Sequence, residues 1–130
     1  MIVIDASAAL ELLLQTPKGI AVGDLALANQ ERLHAPHLID IEVTQALRRL
    51  TRTRNLTVKR ADEALIDFSL LALERHEHRG LMSRVWELRE GLTAYDGVYV
   101  ALAEALDAPL LSCDAKLSRA HGHRAQITVI

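Results

Sequence analysis

The sequence predicts an α/β protein of one domain, in which a central, mostly parallel β-sheet is flanked by helices on both faces. Short apolar runs alternate along the chain with longer segments whose apolar residues recur at helical spacing. Strands that alternate with helices, without long structureless gaps, are typical of parallel sheets. The chain has 130 residues, half of them apolar. We therefore expect one hydrophobic core and a single domain over residues 1–130.

Five strands are predicted, and they are short. The first, at residues 2–5, and the fourth, at 110–113, are largely apolar, as expected for buried parallel strands. The second runs from Leu33 and stops at Pro36. Residues 69–75 are ambiguous and are predicted to contain the third strand. The last strand is predicted at residues 126–130.

Helices are predicted from capping residues and apolar periodicity. Ser7 is expected to cap the first helix, which continues to about residue 15. Pro17 occupies the first turn of a second helix that runs to about residue 30. Thr57 and Thr93 are expected to cap two later helices. The remaining helical predictions cover residues 37–54, 58–68, 79–90, 94–106 and 115–120.

Four acidic residues occupy positions that this fold would bring together. Asp5 and Asp114 follow the first and fourth strands, and open parallel sheets bind ligands at the carboxyl ends of their strands. Glu42 and Asp96 lie in early turns of predicted helices that can reach the same edge. Clustered carboxylates repel one another unless they are protonated or neutralised by cations. Because Mg²⁺ and Mn²⁺ prefer oxygen ligands, the pattern predicts a metal site with hydrolytic activity.

Each acid also has a structural interpretation. Asp5 could cap a helix, and Glu42 is compatible with the positive end of a helix dipole. Asp96 lies at the capping-box position that follows Thr93. Asp40, two residues before Glu42, is expected to face elsewhere. Burying a carboxylate without a partner is costly, and this cost favours a functional interpretation for Asp5 and Asp96.

Composition narrows the range of functions. The chain has only four aromatic residues, which disfavours recognition of single-stranded bases on an aromatic platform. The formal charge is −2, but setting aside four metal-binding acids leaves 13 acids against 15 basic residues, a charge of +2. Cys113 is the only cysteine and excludes an intrachain disulfide. No signal peptide or membrane-length apolar run is visible, and we expect a cytoplasmic protein without a membrane contact.

Basic residues are concentrated in the middle of the chain, where six lie within residues 48–60. They could be a solvated helix end, but we favour contact with RNA phosphates or with an acidic segment of a partner. The candidates for this contact are Arg48, Arg49, Arg52 and Lys59.

Two other groups of residues have alternative interpretations. The His76/His78 and His121/His123 pairs could bind a transition metal but are interpreted as solvated loop residues. The helices between residues 37 and 68 have more leucines than one domain of this size needs, among them Leu47 and Leu65. These leucines either contact a partner or pack on their own sheet.

Four segments together resemble a PIN domain. They are Ile-Val-Ile-Asp5-Ala-Ser7, Glu42-Val-x-x-Ala-Leu-Arg, Thr-Ala-Tyr-Asp96-Gly-x-Tyr-Val-Ala-Leu-Ala-Glu and Pro-Leu-Leu-Ser112-x-Asp114-x-Lys-Leu. Their order and spacing over all 130 residues resemble the VapC toxins of bacterial toxin–antitoxin pairs in particular. The third segment is the most specific of the four.

The resemblance implies an endoribonuclease that depends on Mg²⁺ or Mn²⁺ and hydrolyses RNA with a metal-activated water. Such a protein acts as the toxin of a type II pair, is neutralised by a VapB-like antitoxin and forms a homodimer. The alternative is a catalytically silent PIN-fold module that binds RNA or protein. Because all four acids are retained, we favour the enzyme.

The resemblance also implies roles for individual residues. The residues that match the family's catalytic and metal-binding acids are Asp5, Glu42, Asp96 and Asp114. The residues that match hydroxyl positions expected to support these acids are Ser7, Thr93 and Ser112.

Overall fold

Five parallel strands form the centre of the computed structural model, which describes residues 1–28 and 30–130. The strands are β1 (Ile2–Ile4), β2 (Leu33–Pro36), β3 (Leu73–His76), β4 (Leu110–Ser112) and β5 (Ile127–Val129). Their order across the sheet is β3-β2-β1-β4-β5, and every neighbouring pair is parallel. The predicted α/β fold with a parallel central sheet is confirmed.

Six α-helices connect these strands within the described ranges. They are α1 (Ala6–Leu14), α2 (Pro17–Ala28), α3 (Leu38–Arg52), α4 (Val58–Leu70), α5 (Met82–Glu87) and α6 (Ala94–Leu106). Two 3-10 segments cover Arg79–Leu81 and Ala115–Arg119. No helix in the part of the chain described here is long and apolar enough to cross a membrane.

The strand order explains why helices cover both faces of the sheet. The chain moves outward from β1 through β2 to β3, and then returns to place β4 on the other side of β1. Crossovers between parallel strands are right-handed, so this reversal puts α5 and α6 on the face opposite α1 to α4. Helices α1 to α4 pack among themselves, and α5 packs on α6. The reversal leaves a crevice at the carboxyl ends of β1 and β4.

The core lies where α6 covers the central strands. Val3, Ile4 and Leu110 are completely buried, and every residue of α6 from Gly97 to Ala103 is also buried. A Val- or Leu-sized side chain contributes about 1.5–3 kcal/mol to stability when it leaves water. The crevice therefore rests on the most densely buried part of the molecule.

The prediction for the first two helices needs two changes. Ser7 does not cap α1. The cap is Asp5, whose carboxylate accepts a hydrogen bond from the Ala8 N–H at 2.9 Å, so the helix begins two residues before Ala8. The helix predicted to continue to about residue 30 ends at Ala28, and residue 29 lies outside the described residues.

The prediction was also inaccurate around the third strand and near the C-terminus. Helix α4 continues to Leu70, so β3 begins only at Leu73. The apolar run from Leu70 to Leu73 is compatible with the residue spacing of a helix and with that of a strand. Pairing with β2 determines that the strand begins at Leu73. His76 was expected in a loop but ends β3. The helix predicted at 79–90 is a 3-10 turn followed by the short α5, and residues 115–119 form a 3-10 segment.

The apolar residues of α3, α4 and the turn between them range from buried to exposed, and Leu50 and Leu56 are intermediate. Leu47 belongs to the buried core, so it cannot contact a partner. Leu65, Ile66 and Leu70 on α4 are exposed, as is Ile41 on α3. The surplus of apolar residues is therefore on the surface mainly at α4.

A buried carboxylate joins the second helical layer to the C-terminal segment. Glu104 on α6 accepts hydrogen bonds from Arg84 Nε at 2.8 Å and Arg84 Nη2 at 3.1 Å. It also accepts one from the Arg124 N–H at 2.7 Å. The Glu104 side chain is 5% exposed. Hydrogen bonding to Arg84 lowers the pKa of Glu104 below its ordinary value.

We predict that Glu104→Gln lowers the free energy of unfolding at pH 7 by about 1–3 kcal/mol, the usual cost of breaking a buried charged hydrogen bond. The stabilisation by the charged Glu104 is complete at pH values above the ordinary glutamate pKa. It is lost as the pH falls through the lowered pKa of Glu104 in the native state. The difference between wild type and variant should therefore shrink in acid. Urea denaturation at several pH values measures it. Glu87→Gln is the control, because Glu87 contacts Arg84 from a side chain that is 63% exposed. An equal loss in both variants would contradict this account.

Candidate active site

The four predicted acids converge where the strand order reverses. Asp5 follows β1 directly, and Asp114 lies two residues beyond β4. Glu42 reaches the same place from α3, and Asp96 reaches it from α6. Together they line a cleft of about 330 Å³. The other residues that line it are Ala6, Ser7, Leu10, Ala46, Arg49 and Tyr99.

Three hydrogen bonds fix the Asp5 carboxylate. Its Oδ1 accepts from the Ala8 N–H at 2.9 Å and from the Ser7 hydroxyl at 2.6 Å. Its Oδ2 accepts from the Ser112 hydroxyl. Asp5 is 6% exposed. The two interpretations of Asp5 are compatible, because the carboxylate that caps α1 also lines the cleft.

Ser7 and Ser112 tie the two strand ends together. The Ser7 hydroxyl oxygen accepts from the Cys113 N–H at 2.9 Å, and the Ser112 hydroxyl oxygen accepts from the Asp114 N–H at 3.0 Å. The two hydroxyl oxygens are 3.3 Å apart. The end of β1 and the segment after β4 are thus held in one hydrogen-bond network around Asp5.

Thr93 caps α6, and the carboxylate of Asp96 lies in the first turn of this helix. Thr93 caps the helix by accepting a hydrogen bond from the Asp96 N–H at 3.1 Å. A full capping box would also need the Thr93 N–H to donate to the Asp96 carboxylate. Within residues 1–28 and 30–130 that return bond is not formed. The Asp96 side chain lines the cleft, and burial raises its pKa while the neighbouring Thr93 side chain opposes that rise.

Helix α3 presents one face to the cleft. Glu42, Ala46 and Arg49 are spaced by four and three residues, which places them on one side of a helix. Asp40 points away from it and pairs with Arg75, whose Nη2 lies 2.8 Å from Asp40 Oδ1. Asp40 thus forms an ion pair with Arg75 outside the cleft.

The predicted basic residues do not all reach the same place. Arg49 lines the cleft. Arg48, Arg52 and Lys59 are exposed on α3 and α4 and do not line it. The structure therefore brings one of the four candidates into the lining of the acidic cleft.

Sequence reasoning missed two residues of this region. Tyr99 lines the cleft beside Glu42 and is buried. Its position three residues after Asp96 on the same helix is a signal that could have identified it. Lys116 donates its backbone N–H to Asp114 Oδ1 at 2.9 Å, and its positive charge counteracts the rise in the pKa of Asp96.

The cleft has an excess of negative charge. Burial raises the pKa values of Asp5, Glu42 and Asp96 above their ordinary range, and the neighbouring carboxylates raise them further. Burial also raises the pKa of Tyr99, so its hydroxyl keeps its proton. Glu42 Oε1 and the Tyr99 hydroxyl are buried, and neither has a partner with hydrogen-bond geometry in the described part of the chain. A cation would relieve both the repulsion and the unsatisfied acceptor.

Comparisons with known proteins agree with this geometry. The family model of the PIN domain matches residues 2–122. Ribonuclease VapC9 of Mycobacterium tuberculosis is 43% identical over 130 residues, which are 100% of this chain and 98% of that protein. Ribonuclease VapC12 of the same species is 39% identical over 130 residues, which are 100% of this chain and 99% of that protein.

A solved structure shows the same fold. The crystal structure of VapBC2 from Rickettsia felis, bound to a DNA fragment from its promoter, contains a chain that matches with a TM-score of 0.70. The two chains are 15% identical, and the match covers 99% of this chain and 98% of the other. Since the family model and the full-length relatives agree, the chain belongs to the PIN-domain family and, within it, to the VapC ribonucleases.

Proposed function

We propose that this protein is an endoribonuclease that depends on Mg²⁺ or Mn²⁺ and acts as the toxin of a type II toxin–antitoxin pair. The observation that carries the proposal is the convergence of Asp5, Glu42, Asp96 and Asp114 in one cleft. The full-length relatives are named as VapC ribonucleases, which supports the same activity. A silent binding module would have no need for all four acids.

The residues of the cleft fit a divalent cation. The donor set consists of carboxylate oxygens, which Mg²⁺ and Mn²⁺ prefer, and Glu42 Oε1 is a buried acceptor without a partner. Asp5, Asp96, Asp114 and Glu42 would hold the ion. When bound, the ion supplies Lewis acidity, which lowers the pKa of water and stabilises charge on the leaving oxygen.

The chain's own residues supply position and proton transfer. Ser7 and Ser112 orient Asp5 through the hydrogen bonds to its two oxygens. Glu42 reaches the cleft from α3 and, where it is not bound to the ion, would accept the proton of the attacking water. Burial keeps the Tyr99 hydroxyl protonated beside Glu42, and the two groups are close enough for each to shift the pKa of the other.

The basic residues are proposed to hold the RNA. Arg49 at the cleft wall is placed to contact the phosphate next to the scissile bond. Arg48, Arg52 and Lys59 extend the positive surface along α3 and α4 and would bind flanking phosphates or an acidic segment of the antitoxin.

The partners are a VapB-like antitoxin and a second copy of the chain, and the protein would act in the cytoplasm. Leu65, Ile66 and Leu70 on α4 are exposed and would form part of the homodimer interface. An antitoxin arginine placed among the four carboxylates would form a bidentate charged pair and compete with the metal.

We predict that the purified protein cleaves RNA with Mg²⁺ or Mn²⁺ and stops when EDTA is added. The products should have 5′-phosphate and 3′-hydroxyl ends, because water is the nucleophile. End-group analysis of the fragments measures this. Undiminished cleavage in EDTA, or 2′,3′-cyclic phosphate ends, would contradict the metal mechanism.

The matched control is Asp5→Asn, since asparagine also caps helices well but removes the charge. It should be inactive, and cleavage at the level of the wild type would show that the Asp5 charge is not needed. Expression of the wild type should arrest bacterial growth, whereas expression of Asp5→Asn should not. If the wild type cleaved RNA but did not arrest growth, the protein would be a nuclease that does not act as a toxin.

We predict that Asp96→Asn reduces cleavage by about 10²-fold or more, the usual effect of losing one electrostatic contact at a reacting centre. Its thermal midpoint without metal should equal or exceed that of the wild type. Because the native pKa of Asp96 is raised, its charge destabilises the metal-free fold. The wild type should thus gain stability as pH falls from the raised value toward the ordinary aspartate pKa, and the variant should gain less.

Calorimetry without metal, paired with the cleavage assay, measures both effects. Asp62→Asn serves as the control, since Asp62 is exposed on α4 and should change neither quantity. An Asp96→Asn protein that is clearly destabilised yet still active would show that Asp96 is a structural residue.

A further inference from the structure

A second group of potential metal ligands lies at the β3 edge of the sheet. His34 in β2 is the register partner of Glu74 in β3, and His76 follows Glu74 by two residues. Register partners and residues two apart in a strand project from the same face. The three side chains therefore leave the sheet on one side, although 40 residues separate His34 from Glu74 in sequence.

The ligand atoms of these side chains are close together. His34 Nδ1 lies 2.8 Å from His76 Nε2 and 3.7 Å from Glu74 Oε2. All three ligand atoms lie within 4.8 Å of one another. Two nitrogens bound to Zn²⁺ at about 2.0–2.1 Å in tetrahedral geometry are about 3.3 Å apart. The imidazoles need to separate by only about 0.5 Å to admit such an ion.

The burial of His34 needs an explanation. The residue is 3% exposed, and the ring nitrogen that faces the cluster is Nδ1, whereas Nε2, on the other side of the ring, has no hydrogen-bond partner in the described part of the chain. Its polar contacts there are His76 and Glu74. Glu74 is 57% exposed and leaves the cluster open to solvent.

We propose that His34, Glu74 and His76 form a second metal site, which binds a transition-metal dication such as Zn²⁺. Two imidazoles and one carboxylate are the ligands that borderline ions prefer, whereas Mg²⁺ prefers oxygen alone. Three protein ligands leave a fourth position for water. The inference does not rest on the proposed nuclease function.

The proposed site is separate from the acidic cleft and would clamp the sheet. None of its residues lines the cleft, and β2 lies between β3 and the central strand β1, which ends just before Asp5. A bound ion would join β2 to the edge strand β3. The His76 carbonyl also accepts the His37 N–H at 3.0 Å, next to the start of α3. The expected consequence is a more stable β3 edge.

The test uses the full-length protein without a histidine tag, stripped of metal and then supplied with excess MgCl₂. Calorimetric titration with ZnCl₂ should detect one ion per chain, and the thermal midpoint should rise. His76→Gln and Glu74→Gln should weaken Zn²⁺ binding by at least about tenfold. Losing a hydrogen-bond partner of a metal ligand already costs about tenfold or more in affinity, and these variants lose a ligand itself. The matched controls are His78→Gln and Glu77→Gln, which alter neighbouring residues outside the cluster.

Far-ultraviolet circular dichroism of the His76 and Glu74 variants reports whether they fold, and their spectra should equal that of the wild type. Visible absorption of Co²⁺ in place of Zn²⁺ should show a tetrahedral site in the wild type and lose it in His76→Gln. Equal Zn²⁺ binding by wild type and His76→Gln would overturn the proposal. The proposal would also be overturned if the wild type bound no Zn²⁺. Loss of Zn²⁺ binding in Asp96→Asn alone would overturn it as well, because the ion would then lie in the acidic cleft.

Discussion

The candidate active site depends on one buried carboxylate at the junction of β1 and α1. Asp5 caps α1, and both of its oxygens accept hydroxyl hydrogen bonds from Ser7 and Ser112. The same two serines accept backbone N–H groups of the segment that follows β4. Removing this carboxylate would therefore loosen the first helix cap and the position of Asp114 together.

The rest of the fold brings further negative charge to this point. The strand order reverses between β1 and β4, and α3 and α6 add Glu42 and Asp96 to the crevice. Their mutual repulsion and burial raise the pKa values of three of the acids. The buried residues of β1, β4 and α6 stabilise an arrangement that the acids alone would oppose. The proposed function and the stability of the fold make opposite demands at this cleft, and a bound cation would reconcile them.

Much of the candidate site was predictable from local sequence. Asp5 and Asp114 follow apolar strands, and parallel topology places such residues at one edge. Whether Ser7 caps the helix or supports Asp5 was not predictable, because a Ser and an Asp two residues apart are both good caps. The limits of β3 depended on pairing with β2, which the ambiguous apolar run from Leu70 to Leu73 does not encode.

The His34 cluster was not predictable for a related reason. His76 was considered only with its neighbour His78, whereas its actual partner lies on another strand, 42 residues away. The register between β2 and β3 creates that contact, and no local pattern specifies a register between distant strands. Long-range pairing, and not residue type, was therefore the missing information for both β3 and its histidine.

We infer that the four carboxylates form one binding site for a divalent cation. Crystals of the protein soaked in MnCl₂ and measured at the manganese absorption edge test it most directly. The account predicts an anomalous difference peak in the cleft, in contact with the carboxylates of Asp5, Asp96 and Asp114, and no such peak in Asp5→Asn crystals. Absence of the peak at saturating Mn²⁺, with manganese bound only outside the cleft, would contradict it.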